Sequence, residues 1–303
     1  MRMKIKLACV FGATAAFAFL SLAMTPAQEL DQEDVRGAFL TTRPKSTPAK
    51  SSTGSTTARP KKRRPAPTPE PVDKPNKEPV SGGKTADGPA KSRAAKIGLG
   101  LTLFSRDSNG LAVRVDPERV FQTGDRVRAL LETNIDGYLY IFNTTDGGKP
   151  VMIYPNPELD EGGNYIQSHI PFEIPDSVAD QERLRWLTFD KNPGAERLFF
   201  VFTREPLASI PIEDELINFC RDNAQSCPYQ PSEEVWTKIQ TEKGGPVKIA
   251  KSKTYGKSQT RGEQEATTRG LGLSKEDPEP SMVMMAASPN TQMLVAMLEL
   301  IHK

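Results

Sequence analysis

The chain has 303 residues, of which 37% are hydrophobic and 26% charged, with a formal net charge of +2, which suits one sizeable domain and excludes a collagen, a coiled coil and a polytopic membrane protein. Its 3 cysteines and 2 histidines are too few for a zinc-ribbon, iron–sulfur or His-rich metal centre. The 26 prolines and 22 glycines exceed the ordinary share, so part of the chain is expected not to fold.

Residues 1–27 have the pattern of a secretory signal peptide. Three basic residues lie among the first six, residues 7–24 are uncharged and mostly apolar, and Ala27 places a small residue before the expected cut. The alternative is an uncleaved anchor helix, although this run barely reaches the span of a bilayer. We expect an exported protein, periplasmic or extracellular, that loses Cys9 with its signal.

Residues 28–96 are predicted to be a disordered, basic, proline-rich linker. Between 41 and 96 there are ten prolines, no aromatic residue, and 14 Lys and Arg against 4 Asp and Glu. Such a segment buries too little apolar surface to offset its chain entropy. Because the first 40 residues are neutral overall, residues 97–303 carry a net charge of −8. The mature chain is therefore expected to be a basic arm on an acidic domain.

The arm contains a dense basic cluster, formed by Arg59, Lys61, Lys62, Arg63 and Arg64. In an exported protein no nucleic-acid partner is expected, so the cluster predicts an anion-binding arm that contacts a membrane or cell-wall surface. The alternatives are contact with the acidic domain itself, or a solvated spacer whose charges only keep it extended.

Beyond residue 96 the sequence predicts an antiparallel β-sandwich or barrel, because short apolar runs alternate with turn signals about every 8 to 12 residues. Asn109-Gly110 predicts a type I′ hairpin turn between the first two strands. In the run 126–133, Arg128 and Glu132 are predicted to face water. The run 138–142 has no polar face and is predicted to be covered on both sides. Further strands are predicted at 151–154, 165–174, 185–189 and 196–203.

A helical insert is predicted at 208–245. Once Cys9 is removed, Cys220 and Cys227 are an even pair in an oxidising compartment, which predicts a disulfide tying the first helix of the insert to the loop before the second. The chain-entropy model assigns this short loop about 2.5 kcal/mol of stabilisation. Two free buried thiols are the alternative.

The last 53 residues are predicted in two parts. Residues 251–280 are polar and predict a mobile loop. Residues 281–302 are apolar and rich in Met, and predict a final hairpin that rejoins the sheet. A terminal amphipathic helix is the alternative, because Leu, Met, Ala and Glu form helices well.

Several blocks of the predicted sheet resemble the bacterial domain of unknown function 4384. The blocks are, in order, VFQTGDRVR at 120–128, NIDGYLYIF at 134–142, MIYPNP at 152–157, PGAERL at 193–198 and REPL at 204–207. The resemblance covers about residues 97–207. It implies a β-rich bacterial module, similar to regions appended elsewhere to protein kinases, caspase-like peptidases and other signalling or envelope proteins, and it brings no catalytic residues.

The sequence predicts no enzyme, and no catalytic, cofactor-binding or metal-binding residue is assigned. His169 and His302 are the only histidines, and no nucleophile stands in a motif that would pair it with either. Ser168 and His169 are adjacent, so in a strand they point to opposite faces, and His169 is predicted to lie on a strand surface. The favoured function is a non-enzymatic interaction module that binds a protein or an envelope polymer.

Two alternative hypotheses about the polar and aromatic residues remain, a secreted hydrolase and an aromatic binding surface. A secreted hydrolase would use the acidic turn at Asp160 and Glu161, with Asp136 and Asp146 in neighbouring turns as oxygen ligands for a metal. Five aromatic residues are predicted to be core, with a surface platform for sugar or peptide as the alternative. These are Tyr138, Tyr140, Tyr154, Tyr165 and Trp186.

Overall fold

The computed structural model describes residues 26–45, 95–157, 163–224, 227–241, 246–252 and 254–303, with the backbone alone at 26–30 and 183. Most of the predicted signal peptide and the basic cluster at 59–64 lie outside these residues, so neither prediction is tested. Within the described residues, no helix has the length and apolar character needed to cross a bilayer.

The described chain contains thirteen strands and four α-helices. The helices are α1 (Pro26–Leu40), α2 (Glu213–Asp222), α3 (Glu233–Thr241) and α4 (Arg261–Arg269). The strands are β1 (Gly98–Arg106), β2 (Ala112–Arg114), β3 (Val120–Phe121), β4 (Arg126–Thr133), β5 (Gly137–Thr145), β6 (Val151–Tyr154), β7 (Tyr165–Ile166), β8 (Phe172–Ile174), β9 (Leu187–Thr188), β10 (Gly194–Thr203), β11 (Val247–Lys251), β12 (Met282–Ala286) and β13 (Met293–His302).

The strands form two sheets that pack face to face. The first sheet has the order β11-β12-β1-β4-β8, with β2 on β1 and β9 on β4, and the second has the order β3-β13-β10-β5-β6, with β7 on β5. Every pairing is antiparallel except that of β3 with β13. Inward side chains of both sheets, such as Leu101, Leu131, Leu139, Phe200 and Leu294, form one buried core. The predicted β-sandwich is confirmed.

The helical insert covers the outer face of the second sheet. This agrees with the run 138–142, which has no polar face and is predicted to be covered on both sides. Tyr140 and Phe142 of β5 pack with Leu216 of α2 and Ile239 of α3 in a second buried cluster. Strand β5 is therefore buried on both faces. The predicted insert is confirmed.

The predicted disulfide lies within this insert. Cys220 of α2 is bonded to Cys227, and their Cα atoms are 5.1 Å apart. The bond ties α2 to the loop that leads into α3, as the sequence predicts.

Helix α1 covers part of the outer face of the first sheet, so the linker prediction is wrong for residues 28–45. Phe39 is fully buried and packs with Val283 and Met285 of β12. A Cβ atom at Gly98 would lie 2.9 Å from the Phe39 ring, so this glycine of β1 leaves the space that the ring occupies. The linker prediction missed a docked apolar stripe because it weighed only the average composition.

The prediction of a mobile loop at 251–280 is also wrong. The segment contains α4, which begins with a reciprocal capping box between Thr260 and Glu263 and ends at Gly270 in the left-handed conformation. Glu263 and Leu273 are buried against the first sheet. Low apolar content was misleading here because the segment docks largely through a buried ion pair.

The strands predicted at 281–302 are confirmed, but they do not form a hairpin. Strand β12 pairs with β1 and β11 in the first sheet, whereas β13 pairs with β10 along ten residues of the second sheet. The connection therefore crosses from one layer of the sandwich to the other. The alternative of a terminal helix is excluded.

The first hairpin uses a turn different from the predicted type I′. Gly110 has a positive φ of 83°, whereas Asn109 does not. Asp107 accepts hydrogen bonds from the backbone N–H groups of Asn109 and Leu111. The connection is a three-residue loop with glycine in the left-handed position, another common hairpin solution.

Three arginine–glutamate pairs are buried on the outer face of the first sheet. They are Arg43–Glu132, Arg114–Glu263 and Arg128–Glu173. In the first pair, Glu132 of β4 is paired with a residue of the segment that follows α1. In the second, Arg114 of β2 is paired with a residue of α4, and in the third both residues lie in strands of the first sheet. The prediction that Arg128 and Glu132 face water is wrong, because these segments and the Trp186 ring, which packs on the Arg128 guanidinium, cover that face.

His169 is not a surface residue but part of the first of these pairs. It is 4% exposed and has a positive φ of 56°. Its Nδ1 lies 2.7 Å from a carboxylate oxygen of Glu132, and its Nε2 lies 2.8 Å from the hydroxyl of Thr42. Burial alone would raise the pKa of Glu132, but hydrogen bonds from His169 and Arg43 bring that pKa below its ordinary value. This cluster latches the segment after α1 onto the sheet.

Candidate functional site

A pocket of about 260 Å³ opens at one end of the sandwich, between the two sheets. We call it the end pocket. Its apolar wall comes from both sheets and consists of Val127, Ile153, Leu187, Phe189, Leu198 and Leu300. Its polar lining residues are Asn143, Thr145, Thr188, Asp190, Glu196 and His302. A concave apolar surface with a few polar groups is the usual form of a ligand site.

His302 lies in the end pocket because of the alternation of β13. Leu294, Ala296, Leu298 and Leu300 point into the core between the sheets, and His302 is the next position on that face. The side chain is thus the last inward residue before the sandwich ends.

The imidazole of His302 is buried without a full set of partners. The residue is 3% exposed, and its Nδ1 has no hydrogen-bond partner. Its ring packs against that of Phe189, with 5.0 Å between the centroids. A buried polar atom without a partner costs free energy, and a bound ligand is one way to remove that cost.

Asn143 has a second such atom. Its amide Nδ2 donates to Glu196 at 2.8 Å, and Thr145 donates to the same carboxylate oxygen at 2.9 Å. The Oδ1 of Asn143 is buried and has no hydrogen-bond partner. The register of β5 with β10 places Asn143 opposite Leu198, and Thr145 opposite Glu196. These side chains therefore share the inward face at the mouth of the pocket.

The end pocket has an acidic rim. Asp190 and Glu196 are its carboxylates, and the described residues that line it include neither Lys nor Arg. Hydrogen bonds from the backbone and side chain of Asn192 lower the pKa of Asp190, so that this carboxylate is charged near neutral pH. A group that enters the pocket meets hydrogen-bond acceptors and negative charge.

The two described residues of the alternative metal site, Asp136 and Asp146, are not brought together. Asp136 and Asp146 flank the two ends of β5, which nine residues of extended chain separate by roughly 30 Å. Asp136 accepts hydrogen bonds from Tyr165 and from the backbone of Ser168. Asp146 accepts one from the backbone of Ala195. Both carboxylates hold turns.

Two parts of the predicted sites lie outside the described residues. They are the acidic pair Asp160 and Glu161, and the basic cluster at 59–64. Within the described part of the chain, no group of three or more His, Cys, Asp or Glu side chains is arranged to hold a metal ion.

The aromatic residues form core and not a surface platform. Tyr138, Tyr140, Tyr154, Tyr165 and Trp186 are all at most 9% exposed. Tyr165 donates to Asp136, and burial together with this carboxylate raises the pKa of Tyr165 to about 12. The platform reading is therefore wrong.

The end pocket was missed by reasoning from the sequence. The alternation of apolar residues from Leu294 to Leu300 was a usable signal, since it predicts that His302 points inward. That signal was hidden by the open choice between a strand and a helix at the carboxyl end. The approach of Asn143 and Glu196 depends on the pairing of β5 with β10, which no local pattern specifies.

Residues 120–206 match the family described as Domain of unknown function (DUF4384), which confirms the resemblance carried by the sequence blocks. No curated protein and no solved structure matches the chain. The matched residues run from β3 through β10 and include every lining residue of the end pocket except Leu300 and His302. Five strands outside the match complete the sandwich, namely β1, β2, β11, β12 and β13.

Proposed function

We propose that the chain is a non-enzymatic, exported binding module of the bacterial envelope, and that its end pocket receives a group of a ligand or partner. One observation carries this proposal. His302 and Asn143 both line an apolar pocket, and each has a buried polar atom without a hydrogen-bond partner, Nδ1 and Oδ1 respectively. Native interiors satisfy most such atoms, and exceptions point to a missing partner.

Export and the basic arm complete the proposal. The amino-terminal pattern supports secretion, and the disulfide between Cys220 and Cys227 is compatible with an oxidising compartment. The arm contacts anionic envelope material or holds the acidic domain away from a surface.

Export is tested by fractionating cells that express the full chain and determining the amino terminus of the product. A product in the periplasm or medium that begins at Gln28 and carries the disulfide supports the proposal. A cytosolic product with reduced thiols overturns it.

The role of the arm is tested with vesicles containing an anionic phospholipid and with matched neutral vesicles. We expect binding to the anionic vesicles alone, weakening steeply between low and physiological salt. Neutralising Arg59 and residues 61–64 should abolish it. Unchanged binding by that variant would leave the arm as a spacer.

Enzymatic activity is tested on the same preparation with generic ester, glycan and peptide substrates. We expect no turnover. Reproducible turnover that is lost in both Asp160→Asn and Glu161→Gln would replace the binding module with a hydrolase.

A further inference from the structure

We infer that the end pocket accepts a protonated amine or guanidinium group carried on an apolar stem. The inference rests on the proposed binding function and names the chemistry of the group that is bound.

The polar groups of the pocket determine the charge of that group. Asp190 and Glu196 are anionic, and the unpartnered Oδ1 of Asn143 can only accept a hydrogen bond. Nδ1 of His302 is able to accept as well when the ring is neutral. A cation with several N–H donors satisfies these atoms, whereas an anionic group would meet two like charges.

The apolar wall determines what carries the cation. Leu198 and Leu300 form part of the inner wall, and Phe189 lies over His302. A volume of about 260 Å³ lies just below the range of drug-sized sites, which begins at about 300 Å³, so the pocket suits a group the size of a side chain. Long basic side chains bury an apolar stem and keep a charged head near polar atoms.

The outer wall of the pocket is the part best able to move. Strand β9 has two residues and pairs with β4 at only two positions. Its Leu187 is 39% exposed although it lines the pocket. Short, exposed segments with few ladder bonds open at low free-energy cost. The residues of β9 line the same pocket as Asn143 and His302, so displacing β9 would widen the route to their buried atoms.

The test is a titration of the full chain, followed through the NMR signals of the Leu198 and Leu300 methyl groups. The probes are hexylammonium, hexanol and hexanoate, which share a six-carbon stem and differ in the charge of the head. We expect hexylammonium to bind at least about tenfold more tightly than hexanoate, with hexanol between them. Equal affinities of the three probes would overturn the inference but leave a pocket that binds apolar groups. Binding of none of them would overturn the proposed role of the pocket as well.

Variants locate the recognition. Glu196→Gln is expected to weaken hexylammonium binding about tenfold and to leave hexanol unchanged. The matched control is Glu299→Gln, because Glu299 lies on β13 but pairs with Arg197 and does not line the pocket. Asp190→Asn, at an exposed position, is the second variant if Glu196→Gln fails to fold. Unchanged amine affinity in a folded variant at either position would overturn the inference.

A variant of the arm distinguishes between two sources of the cation, the arm of the same chain and another molecule. If basic side chains of the arm occupy the pocket, neutralising Arg59 and residues 61–64 raises the apparent affinity for hexylammonium. If the cation comes from another molecule, that affinity is unchanged, and a lysine-containing peptide should compete with hexylammonium equally well in both proteins. Failure of such a peptide to compete in either protein would overturn the inference.

Discussion

Replacing Arg43 with alanine is expected to destabilise the domain by about 3 kcal/mol, because the change leaves a buried carboxylate without its main partner. The side chains of Arg43 and Glu132 are 1% and 3% exposed. Two nitrogens of Arg43 donate to the two carboxylate oxygens of Glu132, at 2.8 and 2.6 Å. The guanidinium also donates to the backbone carbonyls of Ser274, Asp277 and Pro278.

The size of the effect follows from these contacts. Removing one partner of a buried ion pair typically costs about 3 to 5 kcal/mol. The lower end applies here because His169 stays 2.7 Å from Glu132 and keeps its hydrogen bond to that carboxylate. For a domain of 150 to 250 residues, about 3 kcal/mol corresponds to a fall in Tm of roughly 6 to 12 °C.

The assay is urea unfolding and calorimetry of the full chain, with Arg36→Ala as the matched control. Arg36 is in the neighbouring α1 and pairs with Glu279, whose side chain is 47% exposed, so its loss should cost no more than about 1 kcal/mol. Loss of the latch should also speed tryptic cleavage at Arg36 in the Arg43 variant. If the two alanine variants unfold within about 0.5 kcal/mol of each other, and the Arg43 variant is cleaved at Arg36 no faster than the unsubstituted chain, the latch does not hold this segment on the sheet.

Three further predictions concern pH, packing and the disulfide. The pKa of Glu132 is lowered in the folded state, so the stability that its carboxylate contributes is present above the unfolded pKa of about 4.3 and is lost as the pH falls through the folded pKa. The urea midpoint should therefore fall less steeply between about pH 7 and pH 3 in Glu132→Gln than in the unsubstituted chain, and an equal fall in both proteins would contradict this. Gly100→Ala should destabilise the domain by about 1 to 3 kcal/mol, because the new Cβ would lie 2.5 Å from Pro280. Gly37→Ala, within α1, should stabilise it by about 0.5 to 1 kcal/mol, because the new Cβ meets no atom within 4 Å and alanine favours the helix. The two variants should therefore shift Tm in opposite directions, and shifts of the same sign would refute this. Reducing the bond between Cys220 and Cys227 should lower the free energy of unfolding by about 2.5 kcal/mol, measured by unfolding with and without reductant. The control is the variant with serine at both positions, whose stability the reductant should not change. Equal stability of the oxidised and reduced chain would show that the bond contributes nothing.

Where secondary structure follows from local patterns, the sequence was enough to predict it. Alternation and turn residues predict strands at 126–133, 138–142 and 151–154, and β4, β5 and β6 are found there. The pairing of Cys220 with Cys227 followed from the count of cysteines together with the expectation of export. These signals work because strand pleat, turn geometry and cysteine chemistry depend mainly on neighbouring residues.

Other features required knowing which segment lies over which face. Residues 31–45 and 261–280 look polar and mobile by composition, yet they dock on the first sheet through Arg43, Glu263 and one phenylalanine, Phe39. The guanidinium of Arg43 donates to the backbone carbonyl of Ser274, which is 231 residues away along the chain. A contact between such distant residues produces no local sequence pattern.

Short-range periodicity and residue type are sufficient to predict the β-rich class of the domain, the position of the helical insert and the disulfide. They do not predict that His169 and Glu132 are buried together, or that His302, Asn143 and Glu196 meet at one end of the sandwich, which became visible only in the folded molecule. Burial and hydrogen bonding of polar side chains depend on contacts between distant segments, and those contacts exist only after the two sheets and their covering helices have packed.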